Sequence, residues 1–319
     1  MAEAFIAHIK SEGQRKASVV ERELRRNFVD KWKARPIASI TPQDVEEVIE
    51  ATVKRGKRAQ AHNLLGHVRR FFNWVLSKPK YGLTHSPCDR LKPEQLIGER
   101  AKRDRVLTNQ ELSAFWKATE RTRYPYGPVY RLLALTGLRL SDVCEAPWSE
   151  FDFEQRLWTI NKMRMKAGKA HIVPLTDEMM EILQSLPRFE KGNFIFSASF
   201  GKRPIRANHF SKPKRRLDGF MLEALREFGE KRGDDPEQVT LADWVNHDLR
   251  RTVRTNLSAL KVPEEVREAV LAHTRPGIKG VYDHYQYVDE KRDALEKWVA
   301  RLRNIVEPAP TNVVSLRAV

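Results

Sequence analysis

The sequence has little cysteine, no long apolar run and no excess of acidic residues. Only two of its 319 residues are cysteines, and Cys88 and Cys144 lie far apart and outside any metal-ligand spacing. We therefore expect a reducing compartment and no disulfide framework. No apolar run approaches the ~18 residues of a membrane-spanning helix, and residues 1–10 lack the pattern of a secretory signal. These absences exclude membrane-spanning and disulfide-stabilised classes and predict a cytoplasmic protein.

Positive charge is abundant instead. The net charge is +16, from 58 Lys and Arg against 42 Asp and Glu. Self-repulsion of this size opposes compaction, so it indicates a polyanionic partner. Nucleic acid is the usual one, because its phosphates release counterions when Lys and Arg bind them. Residues 1–105 are the more basic part, with 23 Lys and Arg against 13 Asp and Glu. Charge alone does not distinguish such a partner from a soluble protein that is merely basic.

The first part of the chain has the periodicity of amphipathic helices. Apolar residues recur on one side of residues 18–32, and again on a longer helix through residues 64–75. Between them, Thr41 followed by Pro42 is typical of a helix start, since Thr caps free amides and Pro fits the first position. A small all-helical bundle is therefore predicted for a first domain at residues 1–95.

A segment rich in proline and charge, residues 86–105, lacks clear periodicity. It predicts a linker between two domains, with its basic part at residues 96–105. The second domain is predicted over residues 106–305 and opens with a capping box formed by Thr108 and Glu111. Residues 306–319 are predicted to be a disordered tail.

Short strands interrupt the otherwise helical second domain. Residues 157–160 and 171–175 have the composition of strands, and the polar segment 162–170 between them is typical of a hairpin. Residues 194–196 are a further short extended candidate. The predicted fold class is mainly α (α+β): an N-terminal helical core-binding domain, and a mostly helical catalytic domain with a small antiparallel β-sheet.

Two further helical segments are predicted in this domain. Residues 218–244 contain Phe220, Leu222, Leu225 and Phe228, which suggest one or two extra helical turns packed on the core. Residues 289–305 form a terminal helix with an apolar stripe. That stripe can dock on a neighbouring subunit or pack on its own domain, and the sequence favours neither.

Three stretches of the second domain carry the residue types that phosphodiester cleavage needs. The reaction requires a nucleophile, a proton for the leaving oxygen and positive charge at the transition state. Arg139 follows a glycine turn, His247 and Arg250 are three apart and so share a helical face, and nine residues separate His273 from Tyr282. Each residue alone is common on a surface or in a core, so the interpretation depends on the ordered set.

This ordered set resembles the tyrosine recombinase, or phage integrase, family. The family's T-G-x-R-x-S-[ED] motif corresponds to residues 136–142, and its H-D-L-R-R-T box is matched letter for letter by residues 247–252. Its L-G-H box, with a tyrosine about nine residues on, corresponds to His273 and Tyr282. The resemblance covers about residues 105–305, whereas the first domain is similar to the family's core-binding domain by pattern only.

The family also has a hairpin lysine before a strand of the type [IL]-V-P-L. Residues 172–175 match that strand and place Lys166 in register, with Lys162 and Lys169 as competitors. Near the candidate nucleophile, Tyr285 and Tyr287 are rivals that the nine-residue spacing disfavours.

Two positions depart from the family pattern. Ala272 stands where the family usually has glycine before the histidine, and a small residue is expected to preserve the close packing. Asp142 replaces the commoner glutamate and keeps the carboxylate.

The resemblance implies a mechanism with a named role for each residue. Arg139 and Arg250 grip the scissile phosphate, Tyr282 attacks it, His247 is the base or hydrogen-bond partner, Lys166 is the acid for the departing 5′ oxygen, and His273 bonds the phosphate. The product is a 3′-phosphotyrosyl link that stores the bond energy, so no cofactor is implied. Consistent with this, the sequence has no P-loop and no acidic metal cluster.

The resemblance also implies partners. They are double-stranded DNA and three further copies of the chain, in a homotetramer on two recombining sites. DNA-bending accessory proteins are candidate partners, and we expect the protein at the nucleoid. Two other functions stay open at this point: strand relaxation like that of type IB topoisomerases, and DNA binding without catalysis.

Overall fold

The structure is a computed structural model that describes residues 1–14, 16–100, 102–273 and 285–308. The chain divides into two compact units, Met1–Arg103 and Asp104–Val319. Within the described residues, the first unit is wholly helical and the second combines helices with one small sheet. The predicted fold class is therefore confirmed. Among the described residues, no helix combines the length and the apolar character that a membrane span requires.

The first unit is a helical bundle around the longest of its helices. Its elements are α1 (Ala2–Ser11), α2 (Ala17–Leu24), α3 (Asp30–Trp32), α4 (Pro42–Lys54), α5 (Arg58–Leu76) and α6 (Pro93–Leu96). Leu64, Leu65, Val68 and Phe72 of α5 are almost completely buried in its core. The predicted start of α4 is confirmed: the Thr41 hydroxyl accepts a hydrogen bond from the Asp44 amide at 3.2 Å, and Pro42 takes the first helical position.

One predicted helix and the predicted linker differ from the structure. A π-helical turn, Arg25–Val29, interrupts the helix expected over 18–32. The Asn27 side chain donates to the Glu23 carbonyl at 2.8 Å and competes there with the backbone amides. In the segment 86–105, residues up to Ile97 belong to the first unit, because Cys88, Leu91 and Ile97 are buried in its core. Apolar residues that are buried singly leave no periodic pattern, which is why the sequence indicated a linker.

The second unit begins with the predicted capping box, in which the Thr108 amide donates to Glu111 at 2.8 Å. Its elements are α7 (Asn109–Arg121), α8 (Tyr126–Thr136), α9 (Leu140–Cys144), β1 (Phe151–Asp152), β2 (Leu157–Ile160), β3 (His171–Pro174), α10 (Asp177–Gln184), α11 (Ser211–Glu230), α12 (Asn246–Ala259), α13 (Glu264–Val270) and α14 (Val288–Val306). The sheet is antiparallel with the order β1-β2-β3. Residues 161–170 join β2 to β3, as the hairpin prediction required.

The sequence missed β1, and the short extended piece predicted at 194–196 lies outside the sheet. β1 is only two residues long and pairs Phe151 with Trp158, too short for a periodic pattern. Phe194 forms an isolated bridge to Pro147, and residues 194–196 make further backbone hydrogen bonds to Ala146, Gly201 and Ile205 outside the three-stranded sheet.

The segment 218–244 begins with a helix that is longer than the one or two turns predicted. α11 is a full 20-residue helix that begins before residue 218 and packs along α7. Its buried residues include Leu217, Met221, Ala224 and Leu225, and the predicted Phe220 and Phe228 are partly buried against the same unit's core clusters. The packing expected for this segment is therefore confirmed.

The terminal helix packs on its own unit. Leu295, Trp298, Val299 and Leu302 of α14 are buried in the core of the second unit. The Trp298 indole donates to the Ala134 carbonyl of α8 at 2.8 Å. The apolar stripe is therefore covered within the chain. The predicted tail lies mostly in residues 309–319, outside the described part.

Candidate active site

The first of the three family motifs, residues 136–142, is placed by a glycine that ends α8. Gly137 is left-handed, with φ +66°, and its amide bonds Leu133 at 2.9 Å. A Cβ on Gly137 would lie 2.7 Å from the Leu271 side chain and 3.1 Å from that of Val253. Only glycine therefore lets α8 end this close to α12 and to the end of α13. The next turn puts Arg139 at the N-cap of α9, with a quarter of its side chain exposed.

The second motif supplies a buried guanidinium. Arg250 on α12 is 4% exposed, and its Nη1 donates to the Gly137 carbonyl at 2.9 Å. Its Nη2 donates to the Leu271 carbonyl. One side chain thus bonds the backbone of the first and third motifs. Burial and then the neighbouring Arg139 lower the pKa of Arg250 to about 10, so it stays charged at neutral pH.

A buried carboxylate stands among these cations. Asp142 is 3% exposed, and one of its oxygens lies 3.7 Å from Arg139 Nη1. Burial raises the pKa of Asp142, while Arg139, Arg164 and Arg250 oppose that rise. Among the described residues no carboxylate forms an ion pair with Arg250, so the two guanidiniums favour a further anion between them.

His247 lies at the start of α12, on the same helix as Arg250. Asp248 holds this helix start: its carboxylate accepts from the Val245 amide at 2.9 Å and pairs with Arg251. His247 itself is exposed. Partial burial, followed by Arg251 and Arg250, lowers the pKa of His247. Its imidazole is therefore mostly neutral at pH 7, with a lone pair free to accept a proton.

The third motif ends α13 in a Schellman arrangement. The His273 amide bonds the Glu268 carbonyl at 2.9 Å, and the Ala272 amide bonds the Ala269 carbonyl at 3.2 Å. This turn requires Ala272 to be left-handed, with φ +50°. A left-handed backbone favours glycine, so backbone conformation as well as close packing accounts for the family's glycine here. The His273 ring is more than a third exposed and bonds the Glu268 carboxylate through Nδ1.

The remaining predicted residues are not joined to this group. Lys166 is exposed between β2 and β3, and no hydrogen bond or ion pair ties its ammonium to another described residue. Tyr282 lies outside the described residues. Its rival Tyr285 is described and donates from its hydroxyl to Glu290 at 3.0 Å. That hydrogen bond raises the pKa of Tyr285, which disfavours it as a nucleophile.

Two residues near the arginines escaped the sequence analysis. His171, at the start of β3, is 7% exposed, and burial followed by Lys291 lowers its pKa to about 3. Arg250 and Arg139 contribute to the same shift, which places His171 close to the guanidinium pair. Glu268 on α13 contacts His273 directly. The sequence offered a clue to His171, because this residue directly precedes the strand motif at 172–175. A glutamate on a charged helix surface has no such clue.

Comparison with known proteins identifies the family. Residues 105–288 match the Phage integrase family, and residues 1–91 match the Phage integrase central domain. The chain belongs to the phage integrase family. The resemblance inferred from the ordered motifs is therefore confirmed.

Curated members of the family are similar over most of this integrase-family chain. It is 26% identical to Prophage integrase IntS of Escherichia coli (strain K12) over 282 residues, 85% of the chain and 66% of that relative. It is 26% identical to the Integrase of Shigella phage Sf6 over 273 residues, 82% of the chain and 63% of that relative. The chain thus spans just under two thirds of the length of these relatives.

Solved structures share the fold. A lambda integrase dimer bound to a COC′ core site aligns with a TM-score of 0.62 at 17% identity, over 86% of this chain and 94% of that one. A lambda integrase tetramer bound to a Holliday junction aligns with a TM-score of 0.61 at 16% identity, over 86% and 76%. At this identity the likeness concerns the fold alone.

Proposed function

We propose that this chain is a site-specific DNA recombinase that cleaves and rejoins strands through a 3′-phosphotyrosyl intermediate. The observation that carries the proposal is the placement of Arg250. Its guanidinium bonds the Gly137 and Leu271 carbonyls, and the charge of Arg139 is near enough to lower its pKa, so it brings all three motifs together. Two positive charges held together in a partly buried site are stabilised by an anion between them. A phosphodiester is such an anion, and its two non-bridging oxygens can each meet one guanidinium.

Each predicted residue has a role in this reaction. Arg139 and Arg250 bind the non-bridging oxygens, since the guanidinium fork matches phosphate geometry. Tyr282 attacks phosphorus, and because a free tyrosine has a pKa near ~10 its proton must leave as the bond forms. His247 accepts that proton, for which its lowered pKa suits it. His273 bonds the phosphate, and Lys166 gives a proton to the departing 5′ oxygen.

We further propose double-stranded DNA as the substrate and a homotetramer on two sites as the working assembly. The net charge of +16 supports a phosphate backbone as partner. The lambda integrase structures with the same fold contain a dimer on a core site and a tetramer on a Holliday junction. Residues 1–95 would be the core-binding domain and residues 106–305 the catalytic domain, with DNA-bending proteins as candidate partners at the nucleoid.

Covalent trapping tests the proposal without knowledge of the target site. The full chain is mixed with a pool of nicked duplexes that share constant flanks and carry a randomised centre. A nick next to the cleaved bond lets a short product diffuse away and leaves the protein attached. We expect adducts that survive denaturation and whose DNA converges on one sequence. If the chain binds the DNA pool but forms no adduct, it is a DNA-binding protein without catalysis.

A second assay separates recombination from strand relaxation. The enriched site is placed on two labelled duplexes and, separately, on a supercoiled plasmid. We expect exchange of flanks between the two duplexes and a four-way intermediate. Relaxation of the plasmid without any exchange would instead indicate a topoisomerase-like enzyme.

A further inference from the structure

Glu268 makes three hydrogen bonds besides those within α13, and two of them go to His273. Its carboxylate bonds the His273 ring at Nδ1, and its backbone carbonyl accepts the His273 amide at 2.9 Å. The third bond comes from α12, where Arg254 Nε donates to the other carboxylate oxygen at 2.8 Å. One residue therefore fixes both the backbone and the ring of His273.

The bonding pattern determines which ring nitrogen is available. A carboxylate is an acceptor only, so Nδ1 must carry the hydrogen that joins it to Glu268. Nε2 is left as the ring nitrogen that can meet a substrate. Arg254 keeps Glu268 in its carboxylate form, since its hydrogen bond and that of His273 together outweigh the effect of burial and lower the pKa of Glu268.

The surrounding charges determine whether Nε2 also carries a proton, which it needs in order to donate to a phosphate oxygen. The groups that act on His273 are Glu268 from α13, Arg250 from α12 and Arg139 at the start of α9. Burial and the two arginines favour the neutral imidazole, and Glu268 alone favours the imidazolium. With a side chain one fifth exposed, Glu268 is sheltered enough for its charge to act at short range.

We propose that Glu268 is a positioning residue for the reaction: it holds the His273 ring through Nδ1–H and favours the imidazolium, whose Nε2–H donates to an oxygen of the scissile phosphate. This inference rests on the proposed function. A carboxylate bonded to the outer nitrogen of a histidine has the same effect at metal sites, where its loss lowers function roughly 10- to 100-fold. The competing view is that Glu268 merely stabilises the end of α13.

Matched variants separate the two views. Glu268→Ala removes orientation and charge, and Glu268→Gln keeps an acceptor of the same size but no charge. Glu265→Gln on the same helix is the control, since Glu265 is exposed. We expect adduct formation to slow roughly 10- to 100-fold in Glu268→Ala, less in Glu268→Gln and not in Glu265→Gln, with DNA affinity and melting temperature unchanged in Glu268→Gln.

The pH dependence supplies a readout that a structural role would not move. In Glu268→Gln the arginines act on His273 unopposed, so the pKa of its ring falls and imidazolium is lost at a lower pH. The alkaline limb of cleavage that depends on this donor should move to lower pH in the same way. An NMR titration of the His273 ring in the full chain measures the first effect directly, without DNA.

The outcomes distinguish this inference from the proposed function. If the wild-type chain forms no adduct, the proposed function fails, while the NMR titration still tests the contact. If the wild type forms adducts and Glu268→Ala cleaves as fast as Glu265→Gln, Glu268 does not position His273. An unchanged His273 titration in Glu268→Gln, or a loss of cleavage that only parallels a loss of folding, overturns the inference as well.

Discussion

The two cationic parts of the candidate site are built in opposite ways. Arg250 is buried at 4% exposure, and backbone carbonyls from two other motifs accept its hydrogens. Lys166 is exposed in the 161–170 connection, with no bond from its ammonium among the described residues. The first cation is part of the folded core, whereas the second is attached to its surface.

The difference corresponds to what each group is proposed to do. Charge that stabilises a transition state is most effective when it is fixed in advance and shielded from water. A proton donor must instead reach a leaving oxygen and recover its proton from solvent, which an exposed side chain permits. Changes at Arg250 should therefore affect folding and catalysis together, and changes at Lys166 should affect catalysis alone.

The largest effect is expected from Arg250→Lys. One ammonium cannot replace a fork that bonds the Gly137 and Leu271 carbonyls, so at least one buried carbonyl loses its donor. We expect adduct formation to fall roughly 10²- to 10³-fold and the free energy of unfolding to fall by about 1–3 kcal/mol. Trapping rates and urea denaturation measure the two effects. Arg226→Lys, at an exposed position of α11, is the control. Normal stability in Arg250→Lys would contradict the comparison.

Lys166→Ala should affect catalysis without affecting folding stability. Loss of the acid should slow cleavage by about 10² or more, while the free energy of unfolding stays within ~0.5 kcal/mol of wild type. A substrate with sulfur in place of the 5′ bridging oxygen should restore the rate, because a thiolate leaves without a proton. Lys162→Ala and Lys169→Ala are the controls. If either control variant cleaves the oxygen substrate slowly and the sulfur substrate at the normal rate, the lysine changed in that variant replaces Lys166 as the acid.

The smallest effect is expected from Ala272→Gly, at a strained position of the backbone beside His273. Ala272 has φ +50°, so Ala272→Gly should raise the free energy of unfolding by on the order of 0.5–1 kcal/mol, after the entropy of glycine is subtracted. Gly137→Ala is the opposite case and should lower it by about 1–3 kcal/mol, from strain and from contact with Leu271. Urea denaturation measures both, and a gain in stability in Gly137→Ala would contradict the placement of Arg250.

The elements with strong local signals were predictable from the sequence. Capping residues such as Thr108 and strands such as 157–160 are determined by neighbours in the chain, and the structure has them as expected. The ordered motifs identified the family, because their residue types and spacing carry the chemistry. Lys166 and Tyr282 were assigned by register and spacing alone, and their roles stay predictions.

What the sequence could not show depends on contacts between distant segments. Residues 86–97 joined the first core through single apolar side chains, and α11 is longer than expected and buries Leu217 and Met221 as well as the predicted Leu225. Ala272 looked like a packing substitution, although its backbone is also left-handed. Glu268 became visible only when the fold placed its carboxylate against the His273 ring.

The most direct test of the central claim is to identify the residue that carries the DNA. Adducts from the nicked pool are digested with protease, and the DNA-linked peptide is sequenced by mass spectrometry. We expect a single phosphotyrosyl peptide with the bond at Tyr282, and Tyr282→Phe should bind the same DNA without forming an adduct. Attachment at Tyr285 or Tyr287, or adducts that persist in Tyr282→Phe, would contradict the proposal that this phenol and the two guanidiniums act on one phosphorus.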